Sequence, residues 1–406
     1  MNFDYIIIGA GVIGSSTAYY LKKALPSCKI LLIERNHTAG AGNTAKSAAL
    51  YRNFFSSRTN RMLAASSIKY YLEIGDKIQL DPIGYLWLFS EEQWETSQKG
   101  IRQLDMKKDE FEVLDRAGIM NILRINHQDN GPFPDFHSGI YCHLCGSLSA
   151  MALARHYTSE FISLGGEISF DTDIKSFILA GKDSCYAPWD DVFVNEIIDQ
   201  RGNTYKATRF IIATGAWTHG LLAPVGIASG ILPKKRQLFV LDIKDPSQMF
   251  EDMNSMKKPA IILPAGGVYI KPILDKNILI VGCADELGQP FMMSDPDPDP
   301  RYFQNAIEPV LNHYFPKLAG YKLSLKWAGY YDYHWPDMTP VIESVANITW
   351  VGGTSGSGIM KADAVGRIAA AGLQGHEEAV LADGTRFKVS RLSLREREVE
   401  KEELVI

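Results

Sequence analysis

The turn Gly9-Ala10-Gly11-Val12-Ile13-Gly14 constrains this chain more than any other feature. A short apolar run, Phe3–Ile8, precedes it, and Val12–Leu25 follows with Ala18, Leu21 and Leu25 on one helical face. A second apolar run, Lys29–Glu34, comes next. Strand, glycine turn, helix, strand is a βαβ unit of the kind that binds dinucleotides. Gly9 permits the tight turn, Gly11 lets a pyrophosphate approach the backbone, and Gly14 lets the helix pack on the strand. The free N–H groups and positive dipole end of the helix then face the phosphates. Glu34 lies twenty residues beyond Gly14, placed to accept hydrogen bonds from ribose hydroxyls, and Arg35 is expected on the adenosine side.

The remaining pattern is α/β at both ends and antiparallel in the middle. Residues 38–50 read as a backbone-dominated loop and Asn60–Ile74 as a helix. Asp81–Ser90 reads as strand, followed by a charged helical stretch to Leu123. Val192–Asp199 and Tyr205–Ala213 read as a hairpin. Leu238–Asp242, Ala260–Pro264, Val268–Pro272 and Ile278–Gly282 are strand candidates with few helices between them. Ser294–Pro300 reads as a stiff acidic loop. The expected fold class is α/β (α+β), a Rossmann-like domain of discontinuous segments with an inserted, largely antiparallel sheet domain. Residues 1–80, 146–220 and 326–390 are expected in the first, 81–145 and 221–325 in the second, and 391–406 in a charged, solvated tail.

Composition narrows the function classes. With 46% hydrophobic and 22% charged residues the chain is an ordinary globular one. Lys+Arg 42 against Asp+Glu 47 leaves a net charge of −5, which argues against a nucleic-acid partner. No apolar run reaches the roughly 18 residues of a membrane span. The five cysteines, Cys28, Cys142, Cys145, Cys185 and Cys283, form no disulfide framework. Cys142-His-Leu-Cys145 is a single pair without the further ligands a zinc site needs, so no metal is expected. The expectation is a cytoplasmic protein with free thiols, with peripheral membrane attachment through a partner as the alternative.

Two further motifs carry the chemistry. Phe210–Trp217 (FIIATGAW) ends a strand where backbone at Thr214 and Gly215, and the ring of Trp217, approach something flat. Gly352–Lys361 (GGTSGSGIMK) follows a strand, Ile348–Val351, and opens a second helix, whose N–H groups suit an electron-rich carbonyl or a reduced flavin. A cofactor held at both ends follows from the two glycine turns together. The segments YIIIGAGVIG…LLIER, ATGAW and WAGYYDYHWPDMTPVI…ITWVGGTSGSGIMKADAVGRIAA resemble the D-amino-acid oxidase/sarcosine oxidase (DAO) family of FAD-dependent oxidoreductases over nearly the whole chain. By that resemblance Gly9–Gly14 and Glu34 bind the ADP half of FAD. Asn43, Thr44, Ala45, Lys46 and Ser47 run beside the pyrophosphate and isoalloxazine. Ile174 bonds the adenine through its backbone. Gly329, Gly356, Ser357, Gly358, Ile359, Met360 and Lys361 wrap the flavin.

The departures from the family pattern bear on the substrate. Family amino-acid oxidases place an arginine just after the W-x-G element; here that residue is Tyr331. Monomeric sarcosine oxidases carry a lysine and a histidine where this chain has Ile280 and Ala284. The absent lysine favours a dehydrogenase passing electrons to a quinone or electron-transfer protein over one using oxygen. No cysteine follows the W-x-G element, so FAD is expected to be non-covalent. Arg52 is the first candidate for an anionic substrate group, since a guanidinium fork matches a carboxylate, and Lys361 the second. Lys46 and Lys271 complete the cations expected near the flavin. Tyr269 and His334 are candidates for orientation or proton transfer. Lys234-Lys235-Arg236 reads as a solvated edge near the entrance.

The leading expectation is hydride transfer from a small anionic amine or amino acid to flavin N5. The alternatives are an alcohol such as glycerol 3-phosphate or a 2-hydroxy acid, an FAD-holding subunit of an electron-transfer complex, and an NAD-dependent dehydrogenase.

Overall fold

The computed structural model describes residues 2–103, 110–127, 131–180, 192–253, 258–284, 297–318 and 320–404. Cys185 and the first residues of the acidic loop 294–300 lie outside them.

Two eight-stranded sheets organise the chain. In the first, Ile348–Gly352, Thr204–Ile212, Asn2–Ile8, Ile30–Ile33 and Glu167–Ser169 lie side by side, all parallel. Val341–Val345 adds an antiparallel edge, and Ile174–Leu179 with Val194–Asp199 extends from Thr204–Ile212. Ile6–Ile8 and Ile30–Ile33 of the central strands are apolar and buried because both faces are covered there. Helices Val12–Ala24 and Gly358–Leu373 follow two of them, each opened by a glycine turn. A side chain at Gly9 would meet the Ala213 carbonyl at 2.6 Å, and φ there is +103°. A Cβ at Gly14 would lie 1.9 Å from the Gly9 carbonyl oxygen, so this glycine serves packing, as its place in the turn implies.

The second sheet runs in the order Lys322–His334, Ile231–Asp242, Ile278–Cys283, Val268–Ile273, Ala260–Ile262, Tyr85–Phe89, Ser138–Cys142, Phe111–Asp115. All pairings are antiparallel except Ala260–Ile262 with Tyr85–Phe89. Lys322–His334 is a continuous strand of 13 residues, and the expected boundary between 325 and 326 falls inside it. Its last residues carry the W-x-G element from this sheet to the glycine turns of the other.

Three expectations are corrected. The charged stretch after Ser90 is not helical to Leu123. Helix Glu91–Gln103 is followed by strand Phe111–Asp115, which pairs with Ser138–Cys142 and buries Leu114. Lys234-Lys235-Arg236 is not a wet edge. It pairs with Tyr331, Tyr330 and Gly329 of strand Lys322–His334, and all three residues are buried. Finally, the C-terminal segment is not wholly solvated: exposed residues such as Arg395, Glu396 and Lys401 flank others that are bonded to the body of the chain. The Glu402 carboxylate is 2% exposed and accepts bonds from the Ser56 and Ser57 amides (2.8 and 3.0 Å) and from Asn60 Nδ2 (3.2 Å). Glu400 accepts from the Thr59 amide (3.1 Å) and hydroxyl (2.9 Å). Both carboxylates sit at the positive N-terminus of helix Arg58–Glu73, where orphan amides and the dipole favour anions. Arg397 anchors the strap by bonding Asp337 and the Thr339 and Pro340 carbonyls.

No helix among the described residues is long and apolar enough to cross a membrane. Glu402→Ala leaves those buried donors without their acceptor and is expected to cost at least about 2 kcal/mol in urea denaturation. Replacing exposed Glu403 is expected to change stability by less than about 0.5 kcal/mol. Equal effects at the two positions would contradict the bound strap.

Candidate active site

Both glycine turns open onto one cavity of ≈ 440 Å³. Neither helix start carries a side-chain N-cap: Gly11 has no side chain to offer, and Ser357 makes no capping bond. Thr44 Oγ1 accepts from the Val12 amide (3.2 Å), tying the loop after Gly42 to the first helix start. Asn43 Oδ1 accepts from the Tyr330 amide (3.0 Å), and the Lys46 carbonyl from Trp327 Nε1 (2.9 Å). The loop is thus clamped between the first helix and the W-x-G strand. Glu34 Oε2 accepts from the Ala10 amide (2.8 Å) and Oε1 from the Asn36 amide (2.9 Å) and Nδ2 (2.6 Å), which leaves acceptor capacity on Oε2 at the cavity. The Arg35 guanidinium stacks 3.8 Å from the Trp217 ring centroid.

Asp332 shapes the second turn. Its carboxylate accepts from the Thr354 amide (3.1 Å) and hydroxyl (2.7 Å), and its carbonyl from the Ser355 amide (3.0 Å). Burial raises its pKa above the ordinary carboxylate value. Gly356 has φ +86°, and a Cβ there would enter the Tyr331 ring at 2.2 Å. Tyr331 therefore packs flat on the turn, and no larger residue fits at 356.

Beyond the turns, Arg52, Tyr85, Arg236, Tyr269 and Tyr331 line a chamber closed by Glu402 and Leu404 of the strap. Arg52 lies within 4.2 Å of the Phe55 ring centroid and 5.1 Å of that of Trp87, and bonds the Phe54 and Leu404 carbonyls. Its Nε has no partner among the described residues, and burial lowers its pKa. Lys361 is fully buried, donates to Asn60 Oδ1 (2.7 Å) and lies over Phe55 (4.6 Å). Burial pulls its pKa down to about 7, against the raising effect of Glu402. Lys271, lowered to about 8 by burial, donates to the Ala48 carbonyl (2.9 Å) and does not line the cavity.

The cavity gathers nearly every predicted cofactor residue: Gly9, Gly11, Val12, Ile13, Glu34, Arg35, Asn43, Thr44, Lys46, Ser47, Ile174, Thr214, Gly215, Trp217, Gly329 and Gly356–Lys361. Gly14 and Ala45 do not line it. Of the predicted catalytic residues, Arg52, Tyr269 and Lys361 line it and His334 does not. His334 is 1% exposed and its Nδ1 pairs with Asp337 (3.1 Å) beside Arg397, a core contact that secures the strap. Cys142 and Cys145 bond each other, and Cys145 Sγ donates to Asn53 Oδ1 (3.4 Å), away from the cavity lining. Sequence reasoning missed Tyr85, Asp332, Glu402 and Leu404. Asp332 lies within the quoted family segment, and no local pattern marks the others.

A family model described as FAD dependent oxidoreductase (DAO) matches residues 4–371. The chain belongs to the DAO family of FAD-dependent oxidoreductases. FAD-dependent oxidoreductase domain-containing protein 1 of Xenopus laevis is 25% identical over 407 residues, 90% of this chain and 78% of the relative. L-proline dehydrogenase from P. horikoshii superposes with a TM-score of 0.77 at 18% identity, covering 97% of this chain and 96% of that one. Glycine oxidase from Geobacillus kaustophilus gives 0.74 at 19% identity, covering 97% and 98%. These structures share the fold. As a DAO-family enzyme the chain uses FAD, and two uncapped helix starts facing one elongated lining fit a cofactor with a pyrophosphate at one end and a flavin at the other.

The Lys361 value has a pH consequence. Unfolded, this lysine keeps its proton to about 10.5; folded, it releases it near 7, so its contribution to stability rises with pH across that interval. Its charge in the folded enzyme is lost around pH 7. The dissociation constant of propionate, read from perturbation of the flavin spectrum, is expected to rise above pH 7 and to become nearly pH-independent in Lys361→Met. A flat wild-type profile would contradict the assignment.

Proposed function

We propose that this enzyme is a dehydrogenase of a small anionic amine or amino acid, with FAD bound non-covalently. The observation that carries this reading is the pairing of Arg52 and Lys361 in one apolar-walled chamber next to the second glycine turn. Both are buried cations, and Arg52 Nε is unpartnered among the described residues. A carboxylate is the group that satisfies such a pair. The two structural neighbours are a proline dehydrogenase and a glycine oxidase, which supports an amino-acid substrate. No cysteine or histidine among the described residues lines the cavity, which supports non-covalent attachment. Ile280 stands opposite Lys271 across the sheet, and that lysine is turned onto Ala48. This supports transfer of electrons to a quinone or electron-transfer protein over oxygen.

When bound, FAD accepts a hydride equivalent at its N5 atom. The chain's part is to bind and orient. Arg52 and Lys361 hold the anionic group, and the Tyr85, Tyr269 and Leu404 side chains exclude water. Proton removal is not assigned to a tyrosine: burial raises Tyr85 and Tyr269 well above the ordinary phenol value, so each keeps its proton. The substrate amine therefore reacts as the neutral species that it brings or forms on binding.

Anaerobic mixing with a panel of amino acids, N-methyl amino acids, 2-hydroxy acids and glycerol 3-phosphate tests the proposal. Bleaching of the flavin band is expected only with the amines, at a rate that rises with pH through the amine ionisation. Arg52→Gln is expected to raise the apparent dissociation constant at least tenfold. Bleaching by hydroxy acids or glycerol 3-phosphate alone would overturn the reading.

A further inference from the structure

A second guanidinium lies in the same chamber, and the binding of one carboxylate leaves it unused. Arg236 sits in strand Ile231–Asp242 opposite Gly329, is 6% exposed and lines the cavity. Its bonds go only to neutral carbonyls, those of Lys235 (3.3 Å) and Ala284 (3.2 Å). Its Nε has no partner among the described residues. Arg52 rests against Phe55 and Trp87, whereas Arg236 lies 5.2 Å from the Tyr331 ring centroid, so the two cations pack on different aromatic side chains. Tyr331 feels both, and its hydroxyl is hydrogen-bonded to that of Tyr269. The Tyr269 hydroxyl in turn reaches over Gly282, where a Cβ would lie 2.5 Å away. Glu402 offers negative charge to Arg52. Among the described residues no carboxylate bonds Arg236.

A buried cation without a counter-charge is costly, and the cost is removed when an anion arrives with the ligand. Two buried forks on different aromatic side chains, with phenol donors between them, match a molecule with an acidic group at each end. We propose that Arg236, with Tyr269 and Tyr331, forms a second anion subsite and that the preferred substrate is an amino or imino dicarboxylate. Tyr331 stands at the position where family amino-acid oxidases carry an arginine, so this chain places its second fork one strand away. The inference rests on reading the chamber as the site of an anionic amine.

The test is binding of non-oxidisable acids to the FAD-loaded enzyme, followed by the flavin spectrum. Propionate and butyrate are compared with malonate, succinate and glutarate in the wild type, Arg236→Gln and Arg236→Lys. The best dicarboxylate is expected to bind at least tenfold more tightly than the best monocarboxylate in the wild type. Arg236→Gln is expected to abolish that preference while leaving monocarboxylate affinity within about twofold, and Arg236→Lys to restore at least threefold of it. Equal wild-type affinities, or a preference that survives Arg236→Gln, would overturn the subsite and leave the amine reading standing. Failure of both classes of acid to bind would overturn both readings. Should Arg236→Gln not retain FAD, the wild-type ratio and Arg236→Lys decide.

Discussion

The contact between the two helices that begin at the glycine turns holds the rest of the structure in place. Gly366 of helix Gly358–Leu373 lies so close to Ser16 of helix Val12–Ala24 that a Cβ would fall 2.7 Å from the serine Oγ and 2.8 Å from its backbone carbon. Beside this contact the Tyr20 hydroxyl bonds the Asp363 carboxylate, 343 positions away in the chain, and Arg367 pairs with Asp363 at 2.8 Å. Burial raises Asp363 and Arg367 draws it back, so the carboxylate and its partners are retained as a set. The helices are thereby pinned along their flanks while their positive N-termini remain free at one cavity. A long cofactor with negative or electron-rich groups at both ends is what this arrangement can hold.

The substrate chamber follows from where the second sheet meets that pair. Strand Lys322–His334 leaves the antiparallel sheet and delivers Gly329, Tyr331 and Asp332 to the second turn. Asp332 sets the turn's shape, Tyr331 lies flat on Gly356, and the loop at Asn43 is clamped behind them. The strap then closes the chamber with a carbonyl on Arg52 and a carboxylate at the neighbouring helix start. A ligand that takes the Arg52 fork in full competes with the Leu404 carbonyl, so affinity for an acid includes the cost of moving that contact.

Much of the cofactor site was legible in the sequence because its signals are local. A glycine turn between an apolar strand and a helix has few alternatives, and Gly9 and Gly14 make the close backbone contacts that their places in the turn demand. The same holds for Gly356–Lys361. The substrate side was less legible because burial there is decided by distant segments. Lys234-Lys235-Arg236 reads as a solvated run until residues 329–331, almost a hundred positions later, pair with it and it is buried. The tail reads as a solvated end because its partners, Ser56 to Asn60, lie more than 300 positions earlier. His334 has the composition of a catalytic residue but lies on the far side of the turn, paired with Asp337. Phe111–Asp115 carries helix-like charge density and becomes a strand because an edge at Ser138–Cys142 is available to pair.

The claim that both helix starts clasp one cofactor is tested most directly by titrating FAD into apoprotein of the wild type and of Gly366→Val. The variant pushes the two helices apart at Ser16 without touching either glycine turn. The account predicts one FAD per chain with a band near 450 nm in the wild type, and at least tenfold weaker binding in Gly366→Val with the far-ultraviolet circular dichroism retained. Equal FAD affinity in the two proteins would contradict it.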